Sequence, residues 1–183
     1  LLGPAMAMVG AWYKVEAIDE AQEHMASAIT ERILARAVQI AGPAKKINAL
    51  CVLGCAPQAW HVIGLRMIAD LLKLEGWRTL YLGANVPIPA FVNTVQTSKP
   101  TMILLSCGSE EGVAPTVQLI KELRDVQDAE RPWVIGVGGA GAIAHPARMT
   151  RAGADFIAKD LRSFAEHILP EVAQTCQRVV IIN

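Results

Sequence analysis

The feature that most constrains this chain is a switch of hydrophobic period near residue 45. After it one pattern repeats five times: a short apolar run closing on glycine or another small residue, then a stretch of helical spacing. The runs Ile47–Gly54, Thr79–Gly83, Met102–Ser106, Trp133–Val137 and Asp155–Ala158 read as strands. His61–Glu75, Ala90–Thr97, Ala114–Val126, Pro146–Ala152 and Leu161–Gln177 read as the helices that follow them. A run such as INALCVLG has no polar alternation, so its strand must be covered on both faces. Strict strand–helix alternation with two covered faces predicts a parallel, doubly wound sheet of five strands. In such sheets ligands bind beyond the carboxyl ends of the strands.

Before the switch, Ala21, Met25, Ala28, Ile29, Ile33, Ala37 and Ile40 recur at three- and four-residue spacing, and Gly42-Pro43 ends the pattern. This predicts one long amphipathic helix over Glu20–Ile40. The expected organisation of the 183 residues is therefore a helical cap over 1–43, an incomplete bundle, on a single α/β domain over 44–183. The apolar opening LLGPAMAMVGAW lacks the charged start of a signal peptide and begins without Met, so further sequence is expected upstream.

Composition removes several function classes. Lys plus Arg and Asp plus Glu both number 17, so no basic field exists to hold a phosphate backbone, and no nucleic acid is expected to bind this segment. No run of about 18 uncharged apolar residues is present, so no membrane span is expected. Cys51, Cys55, Cys107 and Cys176 have no zinc-type spacing and read as reduced thiols in a cytoplasmic protein. No nucleophile elbow, paired-carboxylate motif or metal cluster with a general base is present, so the chain does not read as an enzyme.

Candidate binding residues fall after the predicted strand ends. The first strand leads into Cys55-Ala56-Pro57-Gln58-Ala59-Trp60-His61-Val62-Ile63-Gly64, which carries an imidazole to the start of the next helix, with Gly64 sparing a side chain one turn on. The third ends in Ser106-Cys107-Gly108-Ser109-Glu110-Glu111-Gly112 and the fourth in Gly136-Val137-Gly138-Gly139-Ala140-Gly141, so both loops are stripped of bulk. The glycines of the latter match GxGxxG, but a dinucleotide fingerprint belongs after the first strand. Glu110 and Glu111 read as a solvated loop edge.

Ala59, His61 and Gly64, then Ser106, then Gly138-Gly139 resemble the DxHxxG, SxL and GG elements of the cobalamin (vitamin B12)-binding domain family, over roughly residues 47–160. Trp12 followed by Glu23-His24 resembles the Trp and Glu-His signature of its MerR-type, CarH-like light-sensing branch, at a spacing one residue longer. The resemblance implies a flavodoxin-like domain with an N-terminal helical cap. It implies His61 as lower axial ligand of cobalt, with Trp60, Gly64, Ser106, Cys107, Gly108, Gly138 and Gly139 around the cofactor and its nucleotide tail. Trp12, Glu23 and His24 would cover the upper face of adenosylcobalamin. The sequence departs from the pattern at Ala59, where the family has an acid that orients the histidine, at Cys107-Gly108 and at Tyr13. These departures touch cobalt and tail recognition and spare the cavity.

The expected function is a tetrapyrrole-binding sensory module responsive to light or ligand, regulating a partner or upstream effector, with homo-oligomerisation as one output. A bilin (biliverdin) or haem pigment is a second expectation, with Cys55 or Cys107 available for a thioether. A corrinoid carrier domain of a methyltransferase or mutase is a third.

Overall fold

The computed structural model describes residues 2–42 and 45–172. Two helices, α1 (Leu2–Lys14) and α2 (Glu20–Ala41), precede a sheet of five parallel strands: β1 (Leu50–Gly54), β2 (Arg78–Gly83), β3 (Met102–Ser106), β4 (Val134–Gly138) and β5 (Phe156–Ala158). The strand order is β2-β1-β3-β4-β5, so the side on which strands are added switches between β1 and β3, the point at which such sheets bind ligands beyond their carboxyl ends. The expected flavodoxin-like, doubly wound architecture is the observed one.

The buried-throughout strands β1 and β3 occupy the interior of the sheet, as their unalternated sequences require. Successive residues feed opposite faces. Val52, Ile103 and Leu105 join Phe91, Leu119 and Met149 under α4 (Ile88–Ser98), α5 (Val113–Asp125) and α7 (Pro146–Ala152). Cys51, Leu53, Met102 and Leu104 join Leu65, Leu72 and Phe164 under α3 (Ile63–Leu74) and the last helical segment. Edge strand β2 alternates between exposed and half-buried residues at its start.

Helix α2 begins with a reciprocal cap: Gln22 N donates to Asp19 Oδ1 at 2.8 Å and Asp19 N to Gln22 Oε1 at 2.9 Å. It ends at Gly42, whose φ of +76° suits glycine. Helix α1 carries no readable period because it is apolar on all sides, and Pro4 is tolerated in its first turn. It packs on α2, where Thr30 Oγ1 lies 3.1 Å from Met6 Sδ, and α2 packs on α3.

Three expectations are corrected. The helix after β1 begins at Ile63, so His61 stands in the loop before it. A short helix α6 (Ala140–Ala144) follows β4 directly. The segment expected as one helix over Leu161–Gln177 is α8 (Leu161–Ser163), then a wide π turn over Phe164–Ile168, with helix resuming to 172. Pro170 cannot donate to the carbonyl four residues back and crowds it, which a widened preceding turn relieves. The remainder of that expected helix, with Cys176, lies outside the described residues.

Phe91 is fully buried, and its ring edge lies 2.7 Å from where a β-carbon on Gly54 would stand. Phe91→Ala should cost about 3–5 kcal/mol, read as a lower urea midpoint at unchanged slope.

Candidate functional site

The site is built where the loops after β1, β2, β3 and β4 meet. The β1–α3 loop is fastened first to the loop after β2. Cys55 N donates to Gly83 O at 2.9 Å, Val86 N to Cys55 O at 3.0 Å, Asn85 N to Ala59 O at 3.0 Å, and Gln58 N to Asn85 Oδ1 at 3.0 Å. Gln58 and Asn85 both hold positive φ, 64° and 50°, so two tight reversals fix where the loop emerges. Trp60 is 64% exposed at the tip, and His61 beside it is exposed.

The same loop is fastened to β3. Ser106 Oγ donates to the His61 carbonyl oxygen at 2.7 Å, and Cys55 Sγ approaches that oxygen at 3.9 Å. The imidazole lies on Gly108: a β-carbon there would stand 2.4 Å from His61 Cβ and Cγ and 2.7 Å from Nδ1. Ser106, Gly108 and His61 therefore form one unit.

The glycines divide into two kinds. A β-carbon on Gly139, whose φ is +101°, would lie 2.5 Å from Cys107 O, and one on Gly141 would lie 2.5 Å from Ser109 O. These two are demanded by the backbone packing of β4 and α6 on the β3 loop, where Gly141 N donates to Cys107 O at 3.0 Å. Gly64 and Gly138 are not. Among the described residues, a β-carbon on Gly64 would meet nothing within 4 Å, and one on Gly138 only ordinary contacts, the nearest at 3.5 Å. Gly64, three residues beyond the exposed imidazole, and Gly138, paired in register with Ser106, leave room at the strand ends.

Glu110 and Glu111 are exposed, as a solvated loop edge requires, and Glu110 is also paired. Glu110 Oε2 pairs with His145 Nε2 at 2.6 Å, which fastens the β3–α5 loop to the α6–α7 junction. Glu111 is held below the usual carboxylate value, first by its own backbone N–H and the Ser109 hydroxyl, and further by the nearby His61. Sequence reading missed His145 and Asn85 because their partners are distant along the chain and no local pattern marks them.

Cys55 and Cys107 are fully buried. Burial pushes the Cys55 thiol up to about 11 and also raises Cys107. So little thiolate makes both poor nucleophiles for a bilin vinyl group. The cap residues keep to their own hairpin in the contacts they make: Glu23 Oε1 accepts from Ser27 Oγ at 2.9 Å, and His24 Nε2 lies 3.8 Å from both Glu20 and Glu23. Trp12 is 47% exposed. The strand-end residues are brought together; Trp12 and His24 are exposed on α1 and α2, and Glu23 is half-buried.

Residues 49–169 match the B12 binding domain family. The chain is 30% identical over 139 residues to the HTH-type transcriptional repressor CarA of Myxococcus xanthus, covering 76% of this chain and 47% of that protein. It is 28% identical over 110 residues to trimethylamine corrinoid protein 1 of Methanosarcina acetivorans, covering 60% of this chain and 47% of that one. The chain thus spans about half the length of the curated relatives it matches. Its fold is shared with the monomethylamine corrinoid protein of Methanosarcina barkeri, at a TM-score of 0.75 and 19% identity, over 97% of this chain and 80% of that one.

The division among the glycines is testable by urea unfolding. Gly139→Ala should lose about 1–3 kcal/mol through strain and overlap. Gly64→Ala and Gly138→Ala should stay within about 0.5 kcal/mol of the parent.

Proposed function

Because the chain belongs to the B12 binding domain family, we propose that it is a corrinoid-binding sensory module whose loaded state sets the packing of α1 and α2 and, through them, a partner or effector. Membership implies a corrinoid cofactor, and a domain of this kind carries or senses that cofactor without being catalytic itself. The sensory role, the adenosyl form and the regulated partner are our reading.

The observation that carries it is the exposed imidazole of His61, seated on Gly108 and tied through its carbonyl to Ser106 at the end of β3. His61 would hold the cobalt from below, with Gly64, Ser106, Gly138 and Gly139 around the nucleotide tail. Ser106 fixes the His61 main chain, and Gly108 seats its ring. Trp60 adds an exposed apolar surface at the same edge, and Trp12, Glu23 and His24 would meet the upper face if the hairpin folds over it. When bound, the corrinoid would supply a cobalt ion that the His61 imidazole could coordinate. The relative CarA is named a transcriptional repressor, which supports a regulatory output for this chain.

A carrier role is favoured by one separate observation: the upper-face candidates stand open, with the His24 side chain 70% exposed, as access by another protein would need. The relative named as a trimethylamine corrinoid protein is consistent with it.

The test is loading in the dark with adenosylcobalamin, followed by absorption spectroscopy and size-exclusion chromatography before and after illumination. Saturable binding should be weakened at least about tenfold by His61→Ala and abolished by Gly138→Leu in a folded protein. A light-dependent change in oligomeric state supports the sensor; binding without that change supports the carrier. Absence of corrinoid binding overturns both.

A further inference from the structure

The segment that carries Trp60 and His61 has no regular structure of its own: residues 55–62 run as a loop between β1 and α3. Its tightest point is one that its sequence resists. Ala59 N donates to Ala56 O at 3.2 Å, closing a turn with Pro57 in second place and Gln58 in third, at a φ of +64°. That is the pattern of a type II turn, in which the third position calls for glycine or asparagine. Glutamine there carries a steric cost, so a contact from outside the turn has to hold it.

Asn85 makes that contact from the loop after β2. Its Oδ1 accepts from Gln58 N at 3.0 Å, and its own N donates to Ala59 O at 3.0 Å. The two bonds grip successive residues at the exit of the turn, immediately before Trp60. Asn85 is itself at a φ of +50°, a conformation that asparagine tolerates better than most side chains. Beyond Trp60, Ser106 Oγ holds the His61 carbonyl at 2.7 Å. Trp60 and the His61 ring thus project from a stretch pinned at both ends, by Asn85 before it and by Ser106 after it, and both residues are exposed.

We propose that Asn85 is a positioning residue for the ligand-facing loop: its side-chain carbonyl holds the strained Gln58 turn and so fixes Trp60 and His61 in their binding arrangement before a ligand arrives. Preorganisation of this kind shows in affinity, because a loop that is already ordered has less freedom to lose on binding. The effect on affinity rests on the corrinoid reading; the hold on the turn does not.

The experiment uses the whole chain and two substitutions. Asn85→Gly keeps the positive φ and removes the acceptor, whereas Asn85→Asp keeps an acceptor oxygen on a residue that tolerates the same conformation. Without ligand, hydrogen exchange of the Gln58 amide, followed by NMR, should be faster by about three- to tenfold in Asn85→Gly and parent-like in Asn85→Asp. Titration with aquocobalamin should then give a dissociation constant higher by about three- to tenfold in Asn85→Gly and restored in Asn85→Asp, at native circular dichroism throughout. Unchanged exchange in Asn85→Gly overturns the proposal, as does unchanged affinity where the parent binds, or failure of Asn85→Asp to restore both. If exchange responds as expected but the parent binds no corrinoid, Asn85 remains the hold on the turn and the proposed function is overturned instead.

Discussion

The hydrogen bond from Ser106 Oγ to the His61 carbonyl is the contact on which the site depends. It joins the loop after β1 to the end of β3 across the point where the side of strand addition switches, and those strands are neighbours through the pairs Leu53↔Leu104 and Gly54↔Leu105. Without that adjacency, residues 45 positions apart could not share a hydrogen bond. With it, one hydroxyl sets the height of the imidazole and one missing side chain at Gly108 sets its tilt.

The sheet was legible because its central strands are apolar throughout and its connections close on small residues. Met102–Ser106 and Pro146–Ala152 match in both bounds, since glycine, proline or a change of polarity punctuates them. Helix α1 was not legible, because LGPAMAMVGAWYK has no polar face to give a period, and it is ordered by packing on α2. The π turn at Phe164–Ile168 is a response to Pro170 within a segment whose pattern otherwise reads as one helix. For the site, the spaced pattern of His61, Ser106 and Gly138-Gly139 falls on loops that the fold brings to the ends of β1, β3 and β4. The pairings of Glu110 with His145 and of Gln58 with Asn85 were hidden, because each partner is brought near only by the fold.

Tertiary packing also separates glycines that sequence treats alike. Gly139 and Gly141 serve the protein's own backbone, whereas at Gly64 and Gly138 the described residues leave room for a β-carbon. The hairpin contrasts with this ordered centre. Met25, Ile29 and Ile33 form an exposed stripe on α2, while Thr30 is the buried residue of that helix. A rigid strand-end half beside a hairpin with little buried surface of its own is an arrangement in which a ligand's upper face could alter packing.

The central claim is that His61 meets the metal of a bound corrinoid through a ring nitrogen. Electron paramagnetic resonance of the protein loaded with cob(II)alamin and labelled with 15N in histidine tests this most directly. Coordination by His61 predicts hyperfine lines split into doublets by one 15N nucleus, lost in His61→Ala. Triplets from an unlabelled nitrogen, or lines without nitrogen splitting, would contradict it.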